Sequence, residues 1–228
     1  MSRKKQSKGT CTFCGREMSR GGLSKHLQSC PQRQESVTTA DKAQAGSTQP
    51  LYHLLVSDAY NSDFWLHLEM NGRATLKELD QYLRAIWLEC CGHLSRFSVG
   101  GWGGNEIAKS RKVENVFDSD VTLTHIYDFG TSSETMMKMV SRRQGKPLTK
   151  HPIYLMARNN LPDAVCAECG AEAGWYCVDC LIEQDEWINL CAEHLADHDH
   201  DDYGGPTPLI NSPRLGMCGY EGPADPPY

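Results

Sequence analysis

The sequence predicts an α+β fold, a mostly antiparallel sheet with one main helix placed between two small metal-organised modules. Strand-length apolar runs surround a single amphipathic helical segment in the middle of the chain, and Cys/His clusters with metal-ligand spacing occur near both ends. The 228 residues suffice for one to three domains. We expect a basic zinc finger at 1–33, a flexible linker at 34–50, an α+β domain at 51–160 and a zinc-binding module at 161–228.

The N-terminal module carries four potential metal ligands in the spacing Cys11-x2-Cys14-x11-His26-x3-Cys30. Two thiolates on a turn and two ligands one helical turn apart can close a tetrahedron around Zn2+. The pattern resembles the Cys-Cys-His-Cys variant of nucleic-acid-binding fingers, although Met18 stands where that family usually has an aromatic residue. We therefore predict one structural zinc ion here.

The same module is strongly basic, because residues 1–33 hold eight Lys or Arg against one acid, a net charge of +7. Such a surface suits a polyanion. A single finger spans only about 3 bp, so we expect docking on the phosphates of DNA or structured RNA rather than sequence reading. A protein-binding finger is the alternative. The side chains expected to contact nucleic acid are Lys4, Lys5, Arg16, Arg20 and Lys25.

The linker prediction rests on composition, since residues 34–50 are rich in Gln, Ser, Thr and Ala without apolar periodicity. In the central domain, apolar runs at 51–57 and 64–70 predict a hairpin. Thr75 and Glu78 form a capping-box pattern. The apolar residues that follow recur at helical spacing, so we predict that a helix begins here. Further strands are predicted at 94–99, 121–129, 135–140 and 153–157, with a long loop at 100–120.

The C-terminal module contains eight potential ligands in four close pairs. Eight ligands saturate two tetrahedral zinc ions and leave no position for water or substrate. We predict an interleaved cross-brace, similar to B-box zinc modules, because sequential pairing would leave little core. The first zinc ion would then be bound by Cys166, Cys169, Cys191 and His194, and the second by Cys177, Cys180, His198 and His200. With the finger, the chain is predicted to bind about three zinc ions.

The run of Asp and His at 197–202 also permits a catalytic metal centre that uses His198, His200, Asp201 and Asp202. A catalytic zinc ion needs an open coordination position, whereas this many thiolates favour closed structural sites. Residues 161–228 hold Arg214 alone against 14 acids, a net charge of −13. Such a surface repels nucleic acid, so we expect it to contact a protein partner.

Three cysteines lie outside these two modules' ligand patterns. Cys90 and Cys91 follow the helix core, and Cys218 lies in a Gly- and Pro-containing segment that we expect to be an ordered loop. Free cysteines usually behave as small apolar residues, so we expect all three to be buried. For Cys218, a substitute metal ligand and a free thiol are the alternatives.

Several short sequence runs in the central and C-terminal parts of the chain resemble those of a known family. They are LYHLLVSD, TLKELDQYLRAIW, HLSRFSVG, Tyr127-Asp128-Phe129-Gly130, the cysteine run that begins at Cys166, and NSPRLGMCGY at 211–220. In these runs, residues 51–228 resemble the plasmid pRiA4b ORF-3-like family, which includes passenger proteins of insertion elements. The resemblance implies an α+β domain of unknown biochemical activity. The family usually continues Asp-x-Trp after the Gly, where this chain has Thr131-Ser132-Ser133.

The sequence favours a non-catalytic zinc-binding adaptor, whose finger docks nucleic acid and whose acidic end contacts protein. A protein-only interaction module is one alternative. Another is a nuclease or hydrolase of mobile-element origin with a pocket in the central domain, for which a polar cluster would come from His93, Asp118, His125 and Asp128.

The chain contains no apolar run near the roughly 18–20 residues that a membrane span needs, and no secretory signal follows its basic N-terminus. We therefore expect a cytoplasmic protein without a membrane partner, in which the 11 cysteines stay reduced.

Overall fold

The computed structural model describes residues 7–43, 46–118, 120–200 and 202–228. It confirms the α+β class, with an antiparallel sheet of nine strands and a small three-stranded sheet in these ranges. The strands are β1 (Lys8–Cys11), β2 (Glu17–Ser19), β3 (Gln49–Asp58), β4 (Trp65–Asn71), β5 (Ser95–Val99), β6 (Asn105–Ile107), β7 (Thr122–Tyr127), β8 (Ser133–Gly145), β9 (Ile153–Asn159), β10 (Trp175–Cys177), β11 (Asn189–Leu190) and β12 (Pro206–Pro208). The helices are α1 (Arg20–Ser29), α2 (Pro31–Lys42), α3 (Leu76–Leu83), α4 (Val178–Gln184) and α5 (Ala192–Leu195).

The strand order is β2-β1-β9-β4-β3-β8-β7-β5-β6 in the large sheet and β11-β10-β12 in the small one. The main core lies between the large sheet and α3, whose capping box forms as predicted, with the Thr75 amide donating to Glu78 Oε2 at 2.6 Å. A π-helical turn, Arg84–Leu88, extends α3 and buries Trp87 in the same core. The predicted loop at 100–120 contains β6 and two short 3-10 turns.

Strand β4 is buried on both faces, which explains how the N-terminal module attaches to the sheet. Leu66, Leu68 and Met70 face the main core. The alternate side chains point the other way, as strand geometry requires. On that side, Trp65 shares a second core with Leu23 and Leu27 of α1.

The finger is not a separate arm, because β1 pairs with β9 and continues the central sheet. Gly9 is required at this junction. A Cβ atom there would lie 2.3 Å from the Trp65 ring and 2.2 Å from the carbonyl oxygen of Arg158. The predicted domain boundary at residue 33 therefore does not separate two independently folded units.

The segment predicted as a flexible linker is largely helical, because α2 covers residues 31–42 and β3 begins at residue 49. Composition did not reveal this helix because none of its residues is buried. Pro31 occupies the first turn, where a missing N–H costs nothing. Arg33 donates to the Leu27 carbonyl at 3.0 Å and pairs with Glu69 at 3.0 Å, and Asp41 accepts from the Lys146 amide at 2.7 Å.

A buried histidine pair joins β3 to β4, with His53 Nε2 lying 2.8 Å from His67 Nδ1. Burial lowers the pKa of His53 to about 3 and the pKa of His67 to about 4. Both rings are therefore neutral in the folded protein, whereas an unfolded histidine titrates near pH ~6.5.

We expect the free energy of unfolding to fall as the pH drops below about 6.5, because the unfolded chain then binds protons that the native pair does not. Each such histidine contributes about 1.4 kcal/mol per pH unit between its two pKa values. In His53→Gln one of these groups is gone, so its urea-unfolding free energy should fall less steeply than that of the wild type between about pH 6 and pH 5. Acid release of metal affects both proteins alike, and equal slopes would contradict the prediction.

No helix within the described ranges is both long and apolar enough to cross a membrane.

Candidate metal centres

Within the described ranges, Cys and His side chains gather into four clusters of four, in each of which the ligand atoms lie within 4.8 Å of one another. These clusters contain all 11 cysteines, and each cysteine is a free thiol. Tetrahedral zinc, with Zn–S bonds of about 2.3 Å and Zn–N bonds of about 2.1 Å, separates its ligand atoms by roughly 3.5–3.8 Å. A disulfide would bring two sulfurs to about 2.05 Å. The clusters therefore could hold metal ions.

The finger centre forms where β1 meets α1. The Gly15 amide donates to the Cys11 carbonyl at 2.9 Å and closes the turn that carries Cys14. Cys14 Sγ lies 3.2 Å from His26 Nε2 on α1, and Cys30 follows at the end of that helix. Burial raises the pKa of the Cys11 thiol to about 11. Without a cation this sulfur would stay protonated at neutral pH, so metal binding there must displace a proton.

The first C-terminal centre joins two turns that lie far apart in the sequence. Cys191 Sγ lies 3.3 Å from His194 Nδ1 at the start of α5, and 3.8 Å from Cys169 Sγ. Cys166 Sγ lies 3.7 Å from the same His194 nitrogen. The Gly170 amide closes the other turn by donating to the Cys166 carbonyl at 2.9 Å.

The second C-terminal centre lies at the start of α4. Cys180 Sγ is 3.4 Å from His198 Nε2 and 3.3 Å from His200 Nδ1, and Cys177 Sγ is 3.6 Å from His200 Nδ1. The buried Asp179 accepts hydrogen bonds from the amides of residues 203 and 205, at 2.8 and 3.1 Å. These bonds hold the chain that follows the histidines against α4.

The C-terminal ligands are interleaved, as predicted. Along the chain, the first and third ligand pairs belong to one centre, and the second and fourth pairs belong to the other. Tyr176 and Leu190 are buried, as expected of residues packed between the centres. Trp187 is 44% exposed and stacks on Tyr176, with the two ring centres 4.5 Å apart. Of the two acids considered for a catalytic centre, Asp202 is exposed and Asp201 lies outside the described residues.

The fourth cluster was not predicted. It combines residues 90–93, after the π-helical turn, with a residue near the C-terminus, and its members are Cys90, Cys91, His93 and Cys218. The expectation that its cysteines are buried is wrong, because Cys91 and Cys218 are exposed and Cys90 is half-buried. A count of cysteines could have predicted this cluster from the sequence. The predicted centres use eight of the 11 cysteines, and the remaining three together with His93 make a complete set of four ligands.

The predicted nucleic-acid contacts are only partly described. Arg16 and Lys25 are exposed on the finger, and Arg20 is half-buried at the start of α1. Lys4 and Lys5 lie outside the described residues.

The four polar candidates for an enzymatic site do not form one cluster. His93 Nε2 lies 3.5 Å from Asp128 Oδ2. His125, in contrast, is fully buried and pairs with Asp80, its Nε2 lying 2.7 Å from Asp80 Oδ1. Asp118 lies in a turn, where its carbonyl accepts from the Val121 amide.

Asp128 binds a buried arginine that sequence reasoning did not select. Arg214 donates to Asp128 Oδ2 at 2.8 Å, to the Thr131 carbonyl at 3.0 Å and to Ser133 Oγ at 2.9 Å. Its guanidinium also stacks over the Tyr127 ring, 4.8 Å from the ring centre. The Tyr-Asp-Phe-Gly run and the Asn-Ser-Pro-Arg run therefore meet in one buried ion pair.

A cavity of about 610 Å3 opens between one end of the large sheet and the C-terminal module. Neither His93 nor Asp128 lines it. Its walls include the partly exposed apolar side chains of Leu161, Val165 and Trp187. Ser212, Pro213, Leu215 and Met217, from the loop that contains Arg214, also line it.

Comparison with known proteins places the chain in no family, since no family model and no curated protein matches it. One similar solved structure is a protein of unknown function, MM3350 from Methanosarcina mazei Go1. It has a TM-score of 0.41 and 17% sequence identity, over 55% of this chain and 76% of that chain. A likeness of this extent supports no conclusion about function, so membership of the pRiA4b ORF-3-like family stays a prediction.

Proposed function

We propose that this chain is a non-catalytic, zinc-stabilised adaptor of the cytoplasm. Its basic N-terminal face docks on the phosphates of DNA or structured RNA, and its acidic C-terminal part contacts protein. The observation that carries the proposal is the division of charge along the chain, +7 in residues 1–33, zero in 34–160 and −13 in 161–228. The zinc ions are structural in this proposal, because each predicted centre has four protein ligands.

The packing of the finger supports docking by a rigid surface. The exposed cations Lys8, Arg16 and Lys25 lie on elements that are fixed to the central sheet through β1 and Trp65. A preformed cationic surface binds a polyanion mainly by releasing its counterions. Arg33 does not contribute to this surface, because it pairs with the buried Glu69.

The cavity beside the acidic module supports the protein-contact part of the proposal. Leu161, Val165 and Trp187 offer apolar surface there, within a segment of strong negative charge. The complementary partner is a segment with an apolar anchor and basic flanks. The enzymatic alternative would be favoured by a cleft lined by His93 and Asp128, and this cavity has other walls.

We also propose that the central domain belongs to the pRiA4b ORF-3-like family, because several of its sequence runs resemble that family. The ion pair between Asp128 and Arg214 brings two of those runs into contact in the folded chain.

The double variant Arg16→Ser/Lys25→Ser should bind a short DNA duplex and a structured RNA more weakly than the wild type. Each lost phosphate contact lowers the slope of log K against log salt by about 0.9 on duplex DNA, so the slope should fall by about 2. Fluorescence anisotropy titrations over a range of salt concentrations measure both quantities. Point variants are preferable to deletion of residues 1–33, which would remove β1 from the sheet.

Lys138→Ser is the matched control, because Lys138 is an exposed cation on β8, outside the finger. It should leave both affinity and salt slope unchanged. If the double variant and the control bind alike, the nucleic-acid part of the proposal is wrong. Partner capture from cell extract that persists after nuclease treatment would then favour the protein-only module.

A further inference from the structure

We propose that Cys90, Cys91, His93 and Cys218 bind a fourth zinc ion, which ties the C-terminal segment to the central domain. This inference does not depend on nucleic-acid docking. The three predicted centres account for eight of the 11 cysteines, and the other three converge on one histidine.

The distances in this cluster match those of the other three. Cys91 Sγ lies 3.8 Å from Cys218 Sγ, and His93 Nε2 lies 3.4 Å from Cys218 Sγ. Tetrahedral zinc requires roughly 3.5–3.8 Å between such atoms, whereas a disulfide requires about 2.05 Å. Three sulfurs and one imidazole are also the donor set of the finger centre and the first C-terminal centre.

The turn that carries three of the ligands is held in place by groups outside the cluster. Glu89 Oε1 accepts from the Gly92 amide at 2.6 Å and from the Tyr127 hydroxyl at 3.0 Å. The turn follows directly on the π-helical segment Arg84–Leu88, and such segments often occur at functional sites. The cysteine and histidine side chains are therefore presented together without help from the metal.

The fourth ligand comes from a segment that is anchored independently. Ser212 Oγ donates to the Trp87 carbonyl at 2.7 Å, and Arg214 is fully buried against Asp128. Cys218 itself adopts a left-handed backbone conformation, with φ of 53°, within the short 3-10 turn of residues 217–219. This conformation is unfavourable for a residue with a Cβ atom. It occurs in the turn that places the Cys218 sulfur beside His93.

The charge around the cluster also suits a zinc–thiolate centre. Zn2+ with three thiolates and a neutral imidazole carries a net charge of about −1. Arg214 Nη2, which also pairs with Asp128, lies 3.3 Å from Cys90 Sγ and can donate a hydrogen bond to that thiolate. Such donors next to the ligands commonly tune a metal site.

A metal ion here would close a link between residues 125 positions apart in the sequence. The linked C-terminal loop also supplies one wall of the 610 Å3 cavity, through Ser212, Leu215 and Met217. The ion would therefore hold that wall in place. Cys91 and Cys218 are exposed, whereas most thiols of the other centres are buried, so this ion should be the first that a chelator removes.

Native mass spectrometry of the full chain, purified with reductant and Zn2+, tests the inference. The wild type should retain four zinc ions, and Cys218→Ser should retain three. Met217→Leu is the matched control, because Met217 is the adjacent, partly exposed residue and is not a ligand; it should retain four.

A second measurement on the wild type removes any dependence on the folding of variants. Cys91 and Cys218 should resist alkylation in the native protein despite their exposure, and should become reactive when a mild chelator removes one ion. A wild type with three zinc ions and rapid alkylation of both thiols overturns the inference, as does a Cys91–Cys218 disulfide in protein kept under reductant. Loss of ions in finger or C-terminal ligand variants reports on the other centres separately.

Discussion

Protein stripped of its metal ions should lose the fold of residues 166–208, while the central sheet at 49–159 stays folded. The small sheet consists of strands of two or three residues, and Cys177, Cys180 and Leu190 form its small buried cluster. Zinc binding contributes about 10–16 kcal/mol in small finger peptides, which is comparable to the whole stability of many domains. The central sheet has a large apolar core of its own on α3 and the π-helical turn.

Hydrogen exchange followed by mass spectrometry, on protein made metal-free by acid treatment and chelation, resolves the two regions. Peptides within 166–208 should exchange freely, and peptides from β3, β4 and β8 should stay protected. Cys177→Ser should reproduce the loss of protection in the presence of Zn2+, because Cys177 is a fully buried thiol of the second C-terminal centre. Glu183→Gln is the control, since Glu183 is exposed on α4, the helix that begins directly after Cys177. Unchanged protection of 166–208 in metal-free protein would show that metal does not organise this module.

Arg214→Met should lower the free energy of unfolding by about 3–5 kcal/mol. Arg214 is fully buried, and its partner Asp128 is 5% exposed. The substitution leaves a buried carboxylate without its counter-charge, and it also removes the donors to the Thr131 carbonyl and to Ser133 Oγ. Urea denaturation at neutral pH measures the loss.

Two further variants separate the ion pair from a general effect of removing an arginine. Arg142→Met should change stability by about 0.5 kcal/mol or less, because Arg142 is exposed on β8. Asp128→Asn combined with Arg214→Met should be less destabilised than the sum of the single variants, because the uncompensated charge is gone. A loss below about 1 kcal/mol for Arg214→Met would place this pair among the weak surface ion pairs and contradict the prediction.

The same ion pair joins two runs that are distant in the sequence. Asp128 belongs to the Tyr-Asp-Phe-Gly run and Arg214 to the Asn-Ser-Pro-Arg run. Thr131 and Ser133 stand where the resembled family continues with Asp and Trp, and here they accept hydrogen bonds from Arg214. In place of the Asp-x-Trp run, the Thr131 carbonyl and the Ser133 hydroxyl are thus both within hydrogen-bond distance of the buried guanidinium.

Local patterns in the sequence determined the α+β class, the central strands, the capping box at Thr75 and the grouping of side chains in three clusters. The first three depend on residues a few positions apart in the sequence. The clusters depend on closely spaced Cys and His pairs, which in a reduced protein are most often metal ligands. Strand periodicity and thiol spacing are of this kind.

The other features depend on contacts between residues that are far apart along the chain. Pairing of β1 with β9 made the finger part of the central sheet. Polar contacts of Arg33 and Asp41 ordered a helix with no apolar face. The chain's return to the central domain placed Arg214 on Asp128 and Cys218 beside His93. Periodicity and local spacing carry no information on which distant segments meet, so these features became visible only in the folded chain.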